Sequence, residues 1–148
     1  MNIVKLLARE EGFRSEPYIC SAGYPTIGIG WKIGRHNQSL NDFEVIRISK
    51  GAAQAQLSAE VFSIEQKLFN NDWFSCLNEP RQAVLISMAY QMGLSGLLKF
   101  KNMLAAIETQ CWNDAAHEGL DSRWAKQTPE RAERQMKTLL LGDWSQYE

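Results

Sequence analysis

Apolar residues return every three or four positions along most of the chain after residue 48, a spacing typical of helices that pack on a core. The longest such pattern covers about residues 49–70, where Leu57, Val61, Ile64 and Leu68 lie on one face. At about 1.5 Å per residue, a helix of this length extends about 30 Å, enough to connect two lobes. Further helices are predicted over about 79–92, 95–108, 112–119 and 129–141, the last opened by Thr128 as cap and Pro129 in the first turn.

A shorter helical pattern covers residues 2–11 and ends at Gly12. Ile3, Leu7 and Glu11 follow at intervals of four, so the Glu11 carboxyl lies on the face that packs against the rest of the protein. Burial disfavours the charged form of a carboxyl, and glycoside hydrolases need such a group as the general acid that protonates the leaving oxygen. A glutamate at a helix end is also common as an ion-pair member, so the pattern alone leaves both roles open.

Residues 13–35 show a different pattern, in which aromatic and β-branched residues alternate with prolines and glycines. In the stretch TIGIGWKIG, Ile27, Ile29 and Trp31 alternate with glycines, which predicts a strand with one bulky face and one face of nearly bare backbone. Bare backbone allows another part of the chain to approach closely. We therefore predict a small antiparallel sheet of short strands.

These elements together predict an α+β fold for the 148 residues, of which 45% are hydrophobic and 22% charged. A chain of this length buries enough surface for one domain, residues 1–148. Within it we expect a small sheet lobe over about 12–50, a connecting helix over about 49–70, and a larger all-helical lobe over about 71–148. The helix at residues 2–11 is expected to pack on this larger lobe.

Charge and cysteine usage narrow the function classes. Sixteen basic against seventeen acidic residues argue against binding to nucleic acid through phosphate contacts. No stretch of about 18 apolar residues is present, so membrane insertion and a signal segment are not expected. Three cysteines without a close pair (Cys20, Cys76 and Cys111) are typical of reduced thiols, and they form no cluster with His36 or His117 that suits a metal. We expect no cofactor.

The order of three polar residues gives the most specific signal. Glu11, Cys20 and Thr26 are separated by eight and five residues within EGFRSEPYICSAGYPTIGIGW. This spacing resembles the signature of the phage-type lysozymes, the endolysin muramidases typified by T-even phage lysozyme. MNIVKLLAREEG, YQMGLSGLLKF and SRWAKQTPERAERQ resemble further segments of that family. The resemblance covers nearly the whole chain except residues 36–60 and 71–79.

The resemblance implies a lysozyme-like, two-lobed fold and hydrolysis of the β-1,4 bond between N-acetylmuramic acid and N-acetylglucosamine in peptidoglycan. It assigns Glu11 as the proton donor, Cys20 as the second catalytic group, and Thr26 as the hydroxyl that holds the attacking water. Arg131, in TPERAER, matches the arginine that the family places beside its catalytic glutamate. A neighbouring cation favours the charged carboxylate and so opposes the effect of burial on Glu11.

Sugar-binding positions of the family fall on Lys32, Tyr90, Met103 and Glu118. Tyr90 offers an aromatic face and a hydroxyl that suit a pyranose ring. For Tyr90 and Met103, packing in the core is an equally good interpretation. A free thiol has an ordinary pKa of about 8.5, so Cys20 needs a nearby cation or dipole to ionise at neutral pH.

The biological role implied by the resemblance is that of a monomeric endolysin, made in the host bacterial cytoplasm, that reaches the periplasmic cell wall through a holin-type pore. Two alternatives remain open from the sequence. One is a peptidoglycan-binding relative without activity, in which Cys20 marks the loss of catalysis. The other is a lytic transglycosylase, which uses one acid and no activated water.

Overall fold

The sheet is small and lies next to the end of the first helix. The computed structural model describes residues 1–148, in which three short strands pair in the order β1-β2-β3. These are β1 (Arg14–Ile19), β2 (Pro25–Gly28) and β3 (Trp31–Lys32), and both pairings are antiparallel. The register of β1 on β2 shifts between Arg14 and Tyr18, a bulge that bends the first strand. The predicted antiparallel sheet is confirmed.

The prediction of one continuous strand through TIGIGWKIG is wrong. The chain reverses over residues 28–30, so that Ile27 pairs with Trp31 and Thr26 with Lys32. Gly28 and Gly30 both have φ of 67°, a conformation that residues with a Cβ rarely adopt. The glycines that suggested a bare strand face therefore form the turn of a hairpin, which we call the hairpin turn (residues 28–30).

Nine α-helices and one 3-10 turn (Leu40–Phe43) make up the rest of the regular structure. The helices are α1 (Ile3–Glu11), α2 (Lys50–Leu68), α3 (Asp72–Ser75), α4 (Glu79–Met92), α5 (Leu94–Leu98), α6 (Lys101–Glu108), α7 (Trp112–Leu120), α8 (Arg123–Gln127) and α9 (Pro129–Leu141). The predicted helices over 49–70, 79–92, 112–119 and 129–141 agree with α2, α4, α7 and α9. None of the helices combines the length and the apolar run needed to cross a bilayer.

Two helix predictions need correction. The segment over 95–108 is two helices, because Phe100 has ψ of 58° and interrupts the helix between α5 and α6. Thr128 precedes α9 but does not cap it, since its hydroxyl donates to the carbonyl of Trp124 at 3.1 Å. Pro129 does lie in the first turn of α9. Because N–H groups in the first turn have no partner within the helix, proline loses no hydrogen bond there.

The hydrophobic core lies mostly among the helices that follow residue 70. Helix α1 packs against α4 and α2, with Leu6 and Leu7 fully buried. Ile29 of the hairpin turn joins this core, while Ile27 of β2 is fully buried outside the core cluster. Burial of Leu7 one turn before Glu11 fixes the end of α1, and therefore the catalytic candidate, relative to the core.

Candidate active site

A cleft of about 510 Å³ lies where α1, the sheet, α4 and α9 meet. All three residues of the predicted Glu-Cys-Thr signature line it, together with the predicted cation. The lining includes Glu10, Glu11, Tyr18, Cys20, Thr26, Gly30, Lys32, Tyr90, Gln91, Arg131 and Arg134. Residues from the first 32 positions and from the last 20 thus share one cavity.

Glu11 is the last residue of α1, and Gly12 ends the helix with φ of 69°. The Glu11 side chain is 18% exposed, so its carboxyl is largely removed from water. Its Oε1 accepts a hydrogen bond of 2.7 Å from Nη1 of Arg131. Glu11 and Arg131 therefore form an ion pair that is largely shielded from solvent.

Arg131 is held from its other side. Its Nη2 donates to the Ser87 hydroxyl at 3.0 Å, and the buried Gln135 amide donates to the same oxygen at 2.7 Å. Arg131 itself is only 8% exposed. The guanidinium is therefore fixed by α4 and α9, and it fixes the Glu11 carboxyl in turn. The sequence gives no indication of the roles of Ser87 and Gln135, because both depend on how two distant helices pack.

The hairpin turn approaches Glu11 closely. A Cβ on Gly30 would lie 2.7 Å from Oε2 of Glu11 and 2.9 Å from its Cδ, distances that a real side chain does not adopt. A Cβ on Gly28 would instead meet the Cβ of Ala53 on α2 at 3.2 Å. The bare backbone that the sequence predicted allows a close approach at Gly30, and the group that approaches is the carboxyl of Glu11.

Thr26 and Cys20 lie on the sheet side of the cleft. Thr26 is 1% exposed, and its hydroxyl donates to the carbonyl of Tyr24 at 2.8 Å. Partial burial raises the pKa of the Cys20 thiol, but hydrogen bonding from the Tyr24 backbone, the Thr26 side chain and the Ala22 backbone, with the charge of Lys32, outweighs burial. The pKa of Cys20 therefore lies below its ordinary value, which favours the thiolate.

A second ion pair lies next to the first, and sequence reasoning missed it. Glu10, whose side chain is 4% exposed, accepts hydrogen bonds of 3.2 and 2.8 Å from Nε and Nη2 of Arg134. The hydroxyl of Tyr147 donates to Glu10 at 2.9 Å. Because Arg131 and Arg134 are three residues apart on α9, they face the consecutive acids that end α1. This spacing is the signal from which the second pair was predictable.

We expect Arg134→Met to lower the free energy of unfolding by about 2 kcal/mol, because the buried Glu10 carboxylate loses the hydrogen bonds that the guanidinium donates. Chemical denaturation followed by circular dichroism measures this. Lys137→Met is the matched control, since Lys137 is exposed on the same helix, and its effect is expected to stay within about 0.5 kcal/mol. Equal losses in the two variants would show that the Glu10 pair does not contribute to stability.

A second cavity of about 620 Å³ shares Ala22, Lys32 and Gln91 with the first and continues between the sheet lobe and helices α5 to α8. Of the four predicted sugar-binding positions, Lys32 lines both cavities, Tyr90 lines the first, and Met103 and Glu118 line the second. Met103 is 1% exposed and belongs to the core cluster, so its packing agrees with the alternative interpretation from the sequence. Glu118 is half-buried.

Gln91 is a further residue of this region that the sequence did not single out. Its Oε1 accepts a hydrogen bond of 2.8 Å from the indole nitrogen of Trp124, and its backbone carbonyl accepts one from Lys32 at 3.1 Å. It stands where the two cavities join. No group of three or more His, Cys, Asp or Glu side chains in the structure is arranged to hold a metal ion.

Comparison with known proteins places the chain in a family. Residues 8–140 match the family model described as phage lysozyme. The probable T4-type lysozyme 1 of Dictyostelium discoideum is 31% identical, and the match covers 99% of this chain and 98% of that protein. The pre-baseplate central spike protein Gp5 of Enterobacteria phage T4 is also 31% identical over 99% of this chain, which spans only 29% of Gp5.

The peptidoglycan hydrolase gp36 of Pseudomonas phage phiKMV is 30% identical over 91% of this chain and 15% of its own length. The chain therefore matches nearly all of one relative and a minor part of the two phage proteins. The family model and the full-length relative agree with the α+β, lysozyme-like architecture. The chain belongs to the phage lysozyme family and is a lysozyme-type glycosidase.

Proposed function

We propose that the chain hydrolyses the β-1,4 bond between N-acetylmuramic acid and N-acetylglucosamine in peptidoglycan, with Glu11, Cys20 and Thr26 as its catalytic residues. The observation that carries this proposal is that the three side chains line one cleft, in which Arg131 fixes Glu11 from behind. The names of the relatives, which include T4-type lysozyme and peptidoglycan hydrolase, support the same substrate class.

Glu11 donates the proton in this proposal. Arg131 holds Oε1, so Oε2, which faces Gly30, is the oxygen that carries the transferable proton. As the glycosidic bond breaks, this proton passes to the oxygen of the departing N-acetylglucosamine. Positive charge then develops on the ring of the N-acetylmuramic acid.

Thr26 positions the attacking water. Its hydroxyl donates either to the Tyr24 carbonyl, as in the structure, or to the sulfur of an ionised Cys20, and in both cases its lone pairs accept a hydrogen bond from water. The water oxygen forms the new bond to the anomeric carbon, and the proton it loses passes to the Cys20 thiolate. Attack from the face opposite the leaving group inverts the anomeric carbon.

A series of substitutions at Cys20 tests its role through the pH dependence of the reaction. The thiolate is the active form, so wild-type activity falls as the pH falls through the lowered pKa of the thiol. Cys20→Asp should stay active, with this acid limb moved several pH units lower, because an aspartate ionises near about pH 3.9. Cys20→Ser should lose activity about 100-fold, since a serine hydroxyl does not ionise in this range. Initial rates of peptidoglycan clearing across pH measure both effects.

The results at Cys20 decide whether catalysis needs an ionisable group at this position. Full activity in Cys20→Ser would show that no ionisable group is needed at this position. A Cys20→Asp profile identical to the wild-type profile would show that the acid limb belongs to another group. Cys76→Ser, an exposed thiol outside the two cavities that form the cleft, serves as the control and should leave the profile unchanged.

The glycan strand is proposed to occupy the second cavity as well. Lys32, the ring of Tyr90 and Glu118 then contact sugars, and Met103 supports the floor of the cavity from within the core.

As an endolysin, the chain would act in host-cell lysis as a monomer, made in the bacterial cytoplasm and released to the wall by a holin-type pore. Clearing of purified peptidoglycan by the isolated protein tests the enzymatic part of this role directly.

A further inference from the structure

Two hydrogen bonds connect the hairpin of β2 and β3 to the end of α4. The Tyr90 hydroxyl donates to the backbone carbonyl of Ile29 at 2.5 Å. The Lys32 ammonium donates to the backbone carbonyl of Gln91 at 3.1 Å. In the first bond a side chain of the helix donates to the backbone of the turn, and in the second a side chain of the hairpin donates to the backbone of the helix. We call this pair of bonds the hairpin latch.

The hairpin latch brackets Gly30, the residue that touches Glu11. Ile29 precedes Gly30, and Lys32 follows it by two residues, so both anchors are within two positions of the glycine. The neighbouring strand β3 is only two residues long, which gives the turn little support from the sheet. The position of the turn backbone against Oε2 of Glu11 therefore depends on contacts with α4.

We propose that Tyr90, through its hydroxyl, and Lys32, through its ammonium, are positioning residues that hold the hairpin turn against the catalytic acid. This inference rests on the proposed function of Glu11 and gives the two polar groups a role in addition to the sugar contacts proposed for these side chains. The Tyr90 ring remains free to line the cleft, while its hydroxyl is committed to Ile29.

The two hydrogen bonds of the latch differ in how far they are shielded from water. Tyr90 is half-buried, and this burial, with the nearby charge of Glu11, raises the pKa of its hydroxyl, which stays protonated as a donor over the working pH range. Lys32 is exposed, and its ammonium also lies 4.6 Å from the centre of the Tyr24 ring. The bond from Tyr90 is thus the stronger half of the latch, because competition from water is weaker there.

Tyr90→Phe tests the proposal, since it removes one oxygen and keeps the ring. We expect kcat on soluble peptidoglycan fragments to fall about tenfold and KM to stay within about twofold, because the acid is misplaced while the sugar-binding surface is kept. Hydrogen exchange followed by mass spectrometry should show faster exchange of the hairpin peptide in this variant. Lys32→Met also removes a charge that lowers the pKa of Cys20, so this variant is judged by exchange alone, which should be faster than in wild type but slower than in Tyr90→Phe.

Thr138→Val is the matched control. It also removes a single buried hydroxyl, which donates to the Arg134 carbonyl at 2.9 Å within α9, away from the cleft. This variant should lose stability without a change in kcat or in hairpin exchange. Wild-type kcat in Tyr90→Phe, or equal losses of kcat in both variants, would overturn the proposal. If wild type released no fragments, the proposed function would fail, while the exchange result would still decide whether the latch holds the turn.

Discussion

Glu11→Gln should lower the rate of peptidoglycan clearing by a factor of about 100 to 10,000, the range by which a general acid accelerates such reactions. The amide matches the carboxyl in size and still accepts the hydrogen bond from Arg131, but it has no acidic proton to give to the leaving oxygen. Turbidity loss of a peptidoglycan suspension and the appearance of soluble reducing ends both measure the effect.

Glu10→Gln is the control for this experiment. It makes the same chemical change in the neighbouring carboxyl, which is also buried and also paired with an arginine of α9. We expect this variant to lose stability and to retain most of its clearing rate at a temperature where it is folded. Equal clearing by wild type and Glu11→Gln would remove Glu11 from the mechanism.

Gly30→Ala should lower activity about 100-fold in a protein that still folds. The new methyl group would lie 2.7 Å from Oε2 of Glu11, which is too close for a real contact. Either the turn or the acid must therefore move, and a displacement of about an ångström costs about this factor in rate. The positive φ adds about 1–2 kcal/mol of backbone strain. Clearing rates, together with chemical denaturation, separate the two effects.

Gly28→Ala distinguishes the contact with Glu11 from strain in the hairpin. Gly28 lies in the same turn with the same φ of 67°, but its Cβ would meet Ala53 on α2 rather than Glu11. We expect Gly28→Ala to lose about as much stability as Gly30→Ala but to keep much higher activity. If both variants lost activity equally, strain in the hairpin turn would explain the loss and the close approach of Gly30 to the acid would not.

The long helices were predictable because their apolar spacing reflects burial on one face. Helices α2, α4 and α9 agree with the predicted ranges to within two residues at each end. The break between α5 and α6 was not predictable, because the apolar spacing continues through Phe100 although the backbone of Phe100 is not helical. The hairpin was read as one strand because glycine is compatible with both a strand and a turn, and only the pairing of Ile27 with Trp31 distinguishes them.

Parts of the candidate site followed from the sequence, and parts required the tertiary structure. The resemblance of the Glu11, Cys20 and Thr26 spacing to the phage-type lysozyme signature implied one site, and the three residues line one cleft. The hydrogen bonds that Tyr90 donates to Ile29 and that Arg131 donates to Ser87 join residues more than 40 positions apart, and no local pattern reveals them.

The products that the wild-type protein releases from purified peptidoglycan in heavy-oxygen water test the central claim most directly. Hydrolysis by a water held at Thr26 predicts N-acetylmuramic acid reducing ends that carry one heavy oxygen, detected by mass spectrometry. Release of 1,6-anhydro ends without heavy oxygen would contradict the account, because the bond would then be cleaved without water and the chain would act as a lytic transglycosylase.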